Sequence, residues 1–305
     1  MARWKRALDA AGVRDPGLRA DYSRQRRQVM RYKPEITLAA GLLMPGRMVP
    51  HLIAAAWFMH HTDTLLDSGP VAGRRAAFAR WRDDATESLA AGRTAHPELR
   101  ALLNSARAHP VLHDRVRDYL DAADWDLDFT GFATDGDYQA YVDGYALPGA
   151  MVVLGLLGPE GDQSAYRAAC RTFIDACQRL DFVNDLAEDL AGGRLYIPEA
   201  ALERHGVTRA DLEQGRDLPG VRALIDAQLD EADRTMARCA DLPELAPPAH
   251  RPLLRCLIGT ERLTLTAART APAALLHDSA GPSKSAALRL LVREYLRARR
   301  SSTPK

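Results

Sequence analysis

The residues best suited to chemistry are aspartates spaced one helical turn apart. The first pair, Asp63 and Asp67, lies in the apolar segment AAAWFMHHTDTLLDSG. An i, i+4 spacing places both carboxylates on one face of a helix. Two like charges on an apolar helix repel each other and need compensation. Either a bound cation supplies it, or the pair lies in water at the end of the helix.

A second acidic row lies in the segment CQRLDFVNDLAEDLAGGRLYIP. Asp181, Asp185 and Asp189 follow one another at intervals of four, which predicts a row along nearly one face of a helix. Mg²⁺ takes oxygen ligands, commonly a few carboxylates together with waters and substrate phosphates. Two such rows facing each other would hold magnesium ions against a diphosphate, which Arg194 could clamp. An exposed acidic stripe, paired with arginines of neighbouring helices, is the alternative interpretation.

The rest of the chain predicts the helices that position these rows. Alanine, leucine and arginine are abundant and favour helix, whereas alternating β-branched runs are nearly absent. The 305 residues, 47% of them hydrophobic, suit one large globular domain. We therefore expect an all-α, single-domain bundle over residues 1–300 and a disordered tail over 301–305. Periodicity predicts helices near residues 2–12, 36–44, 50–67, 72–91, 97–108, 110–128, 136–157, 163–191, 199–204, 218–240, 249–271 and 283–299.

Composition argues against several other classes of protein. A net charge of +1 provides no basic face for nucleic acid. The sequence lacks the run of about 18 uncharged apolar residues that a transmembrane helix needs, and its charged N-terminus is unlike a secretory signal. The four cysteines form no CxxC pair, which favours reduced thiols in a cytoplasmic protein. The oligomeric state stays open between a monomer and a homodimer.

Taken together, the two acidic segments resemble the squalene/phytoene synthase family. HTDTLLDSG is similar to the family's first aspartate-rich motif. QRLDFVNDLAEDLAGGRLYIP is similar to its second motif, including the Arg-x-Tyr-[Leu/Ile]-Pro ending. The resemblance implies a class I isoprenoid or terpene synthase bundle with a central cavity, a prenyl diphosphate substrate and a cofactor of three Mg²⁺ ions. The metal ligands that it implies are Asp63, Asp67, Asp185 and Asp189.

The resemblance also assigns residues to the substrate. Arg194 and Tyr196 would contact the diphosphate, and Asp181 takes the leading position of the second motif. In DWDLDFTGFATDGDYQAYVDGY, Tyr141 falls on the family's active-site tyrosine. Arg31, where the family's substrate-binding first helix begins, would contact phosphate or form a surface salt bridge. Candidates for an aromatic cavity wall, with core packing as the alternative role, are Trp57, Phe58, Phe129, Tyr141, Tyr145 and Phe182.

Some positions depart from the pattern of family members that join two prenyl diphosphates head to head. The segment MRYKPEITLAAGLLMPG lacks an SxSF-like serine motif, and His60 and His61 stand where arginines are common. An arginine of the middle helix is absent from YVDGYALPG, where Gly144, Pro148 and Gly149 predict a break or kink. We therefore expect a bacterial terpene cyclase that converts one geranylgeranyl or farnesyl diphosphate to a hydrocarbon. Head-to-head condensation is the alternative.

Rival classes fit the sequence less well. A non-catalytic helical scaffold has no need of the aspartates at all four expected metal positions. A di-iron carboxylate protein uses Glu-x-x-His pairs, and the acidic segments contain none. A nicotinamide-binding fingerprint, GxGxxG after a strand, is also missing.

Overall fold

Helices account for nearly all the regular structure in the computed structural model, which describes residues 2–67, 69–127 and 129–301. No β-strand occurs within these ranges. The α-helices are α1 (Ala2–Ala10), α2 (Pro16–Tyr32), α3 (Pro34–Leu43), α4 (Val49–Asp67), α5 (Val71–Ala91), α6 (Arg100–Ala108), α7 (Val111–Ala122), α8 (Asp124–Leu127), α9 (Asp135–Tyr141), α10 (Leu147–Leu154), α11 (Ser164–Asn184), α12 (Leu186–Ala191), α13 (Glu199–Arg204), α14 (Arg209–Glu213), α15 (Pro219–Ala237), α16 (Arg251–Thr270) and α17 (Lys284–Ser301). The all-α prediction is therefore confirmed.

The core lies where α4, α7, α10 and α11 meet. Helix α10 packs against α7, α4 and α11, and α11 packs against α15 along much of its length. Met151 and Val152 of α10, with Cys170 and Ala176 of α11, are fully buried. Since burial of apolar side chains is the main favourable term in folding, these contacts fix α4 and α11, the two helices that carry the predicted acidic rows.

Helix α2 was not predicted from the sequence. Its start carries ordinary signals: Asp15 caps it by accepting a 2.7 Å hydrogen bond from the Leu18 amide, and Pro16 occupies the first turn. The buried face of α2 is largely polar, so apolar periodicity gives no signal. On that face the Tyr22 hydroxyl donates a 3.0 Å hydrogen bond to the Ala101 carbonyl.

The helix predicted over 163–191 is divided at Asp185. Helix α11 ends at Asn184 and α12 begins at Leu186, with Asp185 at φ −98° and ψ 14° between them. The chain stays hydrogen bonded across the junction, because the Asp185 amide donates to the Asp181 carbonyl at 2.7 Å. The prediction of one continuous helix face was wrong, and the second acidic row bends at its middle member.

The break or kink expected around Gly144–Gly149 takes the form of a wider turn, through which the chain stays helical. Residues Val142–Ala146 form a π-helical segment that joins α9 to α10. The glycines allow close packing: a Cβ on Gly144 would lie 2.9 Å from the Trp125 ring, and one on Gly149 would lie 3.1 Å from the Tyr119 ring. A π-turn inserts one residue and turns the following side chains.

The continuous helical stretch Asp135–Leu157 is long and apolar enough to span a membrane by length and composition alone. In the fold, 61% of its most apolar window is buried against other helices. An apolar helix at the centre of a protein core is expected to be buried to this extent. The predicted tail, 301–305, lies outside the described residues except for Ser301, which ends α17.

A matched pair of glycine substitutions tests this close packing. By helix propensity alone, Gly149→Ala and Gly41→Ala should each stabilise the protein by about 0.5–1 kcal/mol. A Cβ on Gly41 meets nothing within 4 Å, whereas one on Gly149 presses on the buried Tyr119 ring. We expect Gly149→Ala to be less stable than Gly41→Ala by about 1–3 kcal/mol, measured by urea unfolding. Equal stabilisation by both changes would contradict this packing.

Candidate active site

The first acidic row ends α4, and its first member is held by two tyrosines. Asp63 accepts hydrogen bonds from the Tyr119 hydroxyl and, at 3.2 Å, from the Tyr145 hydroxyl. Burial raises the pKa of Asp63 to about 6, although these two hydrogen bonds oppose the rise. Tyr119 comes from α7 and Tyr145 from the π-helical segment, so the central helices fix the direction of this carboxylate.

Asp67, one turn further on, faces the residues that follow the second row. Nη1 of Arg194 donates a 3.1 Å hydrogen bond to Asp67 Oδ1. The same Nη1 donates a 2.9 Å hydrogen bond to the Tyr196 hydroxyl oxygen. Arg194 also lies 3.6 Å from Oδ2 of Asp126, a buried residue of α8. Burial raises the pKa of Asp126 to about 6, and the charge of Asp67 contributes to the rise. Arg194 therefore links both acidic segments, which are far apart in sequence.

All three aspartates of the second row have raised pKa values. Burial raises the pKa of Asp181 to about 8, assisted by the charges of Glu261 and Asp185. The pKa of Asp189 is raised to about 7 by burial and by the neighbouring charges of Asp185 and Glu188. The pKa of Asp185 is also raised, chiefly by burial.

Electrostatic interactions connect members of the two rows. The charge of Asp67, on α4, contributes to the raised pKa of Asp189, on α12. Tyr32, at the end of α2, has its pKa raised by burial and then by the charges of both Asp63 and Asp181. Tyr32 stacks on His60 with ring centroids 3.6 Å apart. The helix that sequence periodicity missed therefore supplies a ring between the two rows.

The acidic residues suit Mg²⁺ by the chemistry of their donors. Among the described residues, no three histidine, cysteine or carboxylate side chains already converge as a preformed metal site. Mg²⁺ needs no such cage, because it usually binds one or two carboxylates and completes its shell with waters and phosphates. The donors here are hard oxygens, and the charges that raise the pKa of Asp181 and Asp189 are those that a cation would neutralise.

An aromatic stack borders the same site. Tyr196 lies between Phe182 and Phe129, with ring centroids 4.2 Å and 4.5 Å away and the planes nearly parallel. Tyr141 packs against Phe182 at 5.8 Å and against Tyr145 at 5.3 Å, and is buried. Most of the predicted aromatic wall thus gathers beside the rows. The central cavity that the family resemblance implies stays a prediction, and these rings would line it.

Two predicted substrate contacts lie less directly at the site. Arg31 is exposed in the last turn of α2. Lys33, two residues later, is the cation whose charge lowers the pKa of Asp181 and Asp185. Phe58 is fully buried and packs against Trp81 at 5.5 Å and Tyr119 at 6.5 Å. The substrate-binding roles of Arg31 and Phe58 stay predictions.

Sequence reasoning missed several members of the site. Asp126 lies in a quoted segment but has no acidic partner at helical spacing, and its neighbour Arg194 is distant in sequence. Tyr119 reaches Asp63 across 56 positions of sequence. Lys33 and Glu261 act on the second row from other helices. The one available signal was the acidic, aromatic composition around Asp126.

Comparison with known proteins identifies relatives by sequence. A bifunctional CrtB/UppS protein of Streptomyces coelicolor is 34% identical over 224 residues, which are 73% of this chain and 39% of that protein. Phytoene synthase 3 of Zea mays is 28% identical over 227 residues, 72% of this chain and 52% of that one. The chain thus matches about half the length of these relatives, or less.

Solved structures share the fold. Squalene synthase HpnC from Alicyclobacillus acidocaldarius is 26% identical with a TM-score of 0.75, over 86% of this chain and 97% of that one. A dehydrosqualene synthase has a TM-score of 0.79 at 19% identity, over 92% and 98% of the two chains. The sequence profile of squalene/phytoene synthase matches residues 35–289, most of the chain. With its two facing acidic rows, this protein belongs to the squalene/phytoene synthase family.

Proposed function

We propose that this protein is a magnesium-dependent enzyme that ionises prenyl diphosphates and joins two of them head to head. The observation that carries the proposal is the pair of facing acidic rows, with Arg194 3.1 Å from Asp67. The names of the relatives, phytoene synthase and squalene synthase, support the condensation. This choice reverses the preference for a cyclase that the sequence departures suggested.

The metal ions would be held by Asp63 and Asp67 on one side and by Asp185 and Asp189 on the other. Bound there, Mg²⁺ supplies charge neutralisation that makes diphosphate a better leaving group. Tyr119 and Tyr145 donate to Asp63 and keep its carboxylate directed at the site. A fixed carboxylate needs no reorganisation when charge develops on the leaving group.

Arg194 and Tyr196 would orient the diphosphate. The guanidinium now pairs with Asp67 at 3.1 Å and lies 3.6 Å from Asp126. Asp67 is one of the residues that would hold a cation, so Arg194 could then donate to phosphate oxygens, for which its planar fork is suited. Asp126, buried beside it, would keep the guanidinium in place.

The aromatic stack would protect the allylic cation that ionisation leaves behind. The rings of Tyr141 and Phe182 attract positive charge through their π electrons, whereas both faces of Tyr196 are covered by Phe182 and Phe129. Their close packing also excludes water, which would quench the cation to an alcohol. These residues therefore favour carbon–carbon bond formation over hydrolysis.

Cyclisation of a single prenyl diphosphate is the second candidate. It is favoured by the missing serine motif and by the missing middle-helix arginine, groups that would serve a second diphosphate. In the fold, Gly144 occupies the π-helical segment beside Tyr145, where its lack of a side chain admits the Trp125 ring. Ionisation uses the same acidic rows in both reactions, so only the fate of the cation differs.

The carbon count of the product separates the two candidates. Full-length protein would be incubated with Mg²⁺ and either farnesyl or geranylgeranyl diphosphate, and the hydrocarbon analysed by mass spectrometry. We expect a product with twice the carbon number of the substrate, because two chains are joined. A hydrocarbon with the carbon number of one substrate would contradict condensation and favour the single-substrate reaction.

A conservative change in the second row tests the metal-binding role. Asp185→Asn keeps the size of the side chain but removes a charge. We expect diphosphate release to fall by about a hundredfold or more, as losing ~3 kcal/mol of charge stabilisation implies. Asp230→Asn is the control, because Asp230 is exposed on α15 and pairs with Arg269 at 2.7 Å. Circular dichroism should show equal helix content in both variants, and full activity in Asp185→Asn would contradict the assignment.

The raised pKa values predict how stability depends on pH. Between pH 6.5 and 8.5 the unfolded carboxyls are ionised, whereas folded Asp189 and Asp181 release protons near pH 7 and pH 8. The folded state binds more protons in this window, so the melting temperature of metal-free protein should fall as the pH rises. Mg²⁺ prefers the ionised carboxylates, so its stabilising effect should be larger at pH 8.5 than at pH 6.5.

The double variant Asp181→Asn, Asp189→Asn serves as the control for this titration. Removing both titrating groups should flatten the dependence of melting temperature on pH and diminish the Mg²⁺ effect. An unchanged slope in the double variant would show that other groups are responsible.

A further inference from the structure

The last helix, α17, carries an unusual outer face. Leu288, Val292 and Leu296 are 60%, 45% and 49% exposed. Their spacing of four residues places them in one stripe along the helix. Single exposed leucines are ordinary on a protein surface, but three aligned large apolar side chains form a continuous patch that marks an interaction site.

Basic residues border this stripe. The exposed Arg289, Arg293 and Arg297 each directly follow a residue of the stripe, and the exposed Arg300 continues the stripe one turn beyond Leu296. Residues 284–301 contain six basic residues and one acidic residue, Glu294. Glu294 is buried and paired with Arg255 of α16 at 2.9 Å and with Arg293 at 3.1 Å. The outward surface of α17 is therefore apolar and cationic, although the whole chain has a net charge of only +1.

The inner face of α17 is already used by the fold. Helix α17 packs against α16 and α3, and its buried Leu290 lies against Gly259 of α16. Helix α3 itself exposes two large apolar residues, Ile36 and Leu38. The outer stripe is thus a second apolar face, held on a helix whose first face anchors it to the core.

We propose that the outer face of α17 docks the protein on an anionic lipid bilayer. A helix that lies in a membrane interface presents an apolar stripe to the acyl chains and flanking Arg or Lys side chains to the headgroups. Negatively charged lipid attracts clustered basic residues. Nucleic acid would leave the apolar stripe in water, and a symmetric contact with a second copy would bring the same arginines together. The inference does not depend on the proposed reaction.

Vesicle sedimentation of the full-length protein tests the proposal. The probes are vesicles of phosphatidylcholine alone and of phosphatidylcholine mixed with phosphatidylglycerol. We expect binding to the mixed vesicles at low salt, with weaker binding to neutral vesicles and at high salt. Replacing the stripe with Leu288→Ser, Val292→Ser and Leu296→Ser should reduce partitioning by at least about tenfold. Leu218→Ser, at an exposed leucine at the start of α15, is the matched control and should bind as the unaltered protein does.

A second variant keeps the test decisive if the triple substitution disturbs folding, which circular dichroism would report. Arg289→Gln with Arg300→Gln should lower binding to the mixed vesicles by about fivefold for each arginine and leave binding to neutral vesicles unchanged. No binding to mixed vesicles at low salt, or unchanged binding by folded variants, would overturn the proposal. A third result would also overturn it: sedimentation velocity shows a dimer of the unaltered protein, the triple variant is a monomer, and neither binds vesicles.

Discussion

The crowding of buried carboxylates at the end of α4 and along α11 and α12 is the constraint on which the rest of the structure depends. Burial raises the pKa of Asp63 to about 6 and that of Asp181 to about 8, so the folded protein holds these groups against their preference for water. The burial of these carboxyls and the repulsion from neighbouring charges oppose folding. Burial of apolar core side chains such as Met151 and Val152 must offset this cost. Groups that destabilise the fold and yet converge are characteristic of functional sites.

The scaffold fixes the directions of the carboxylates in both rows. Asp63 is fixed by Tyr119 and Tyr145, which come from two different elements of the core. Tyr145 owes its position to the π-helical segment, since one extra residue in the turn redirects the side chains that follow. On the other side, the bend at Asp185 changes the direction of the second row. Both irregularities occur within otherwise regular helices and adjoin acidic groups.

Sequence alone predicted the helices that have apolar periodicity, and it predicted the rows of aspartates spaced at four residues on them. It failed where polar contacts decide: α2 buries Asp21, Tyr22 and Gln25, and an apolar pattern cannot reveal a polar interface. The bend at Asp185 was also missed: Asn184 and Asp185 have low helix propensity, but the helical spacing of the buried Val183 and Leu186 continues across them. Asp126 could not be paired with Arg194 from spacing, since that contact joins distant segments.

In the proposed function, the choice between condensation and cyclisation would be made outside the acidic rows. The departures from the pattern of the condensing enzymes fall in three other segments: residues 30–46 around α3, His60 and His61 before Asp63, and residues 141–149 around the π-helical segment. The row residues and Arg194 lie in the two segments that resemble the family's motifs, within a chain whose residues 35–289 match the family profile. The proposal therefore assigns ionisation and the fate of the cation to separate parts of the structure. A fold that hosts varied chemistry is expected to separate them in this way.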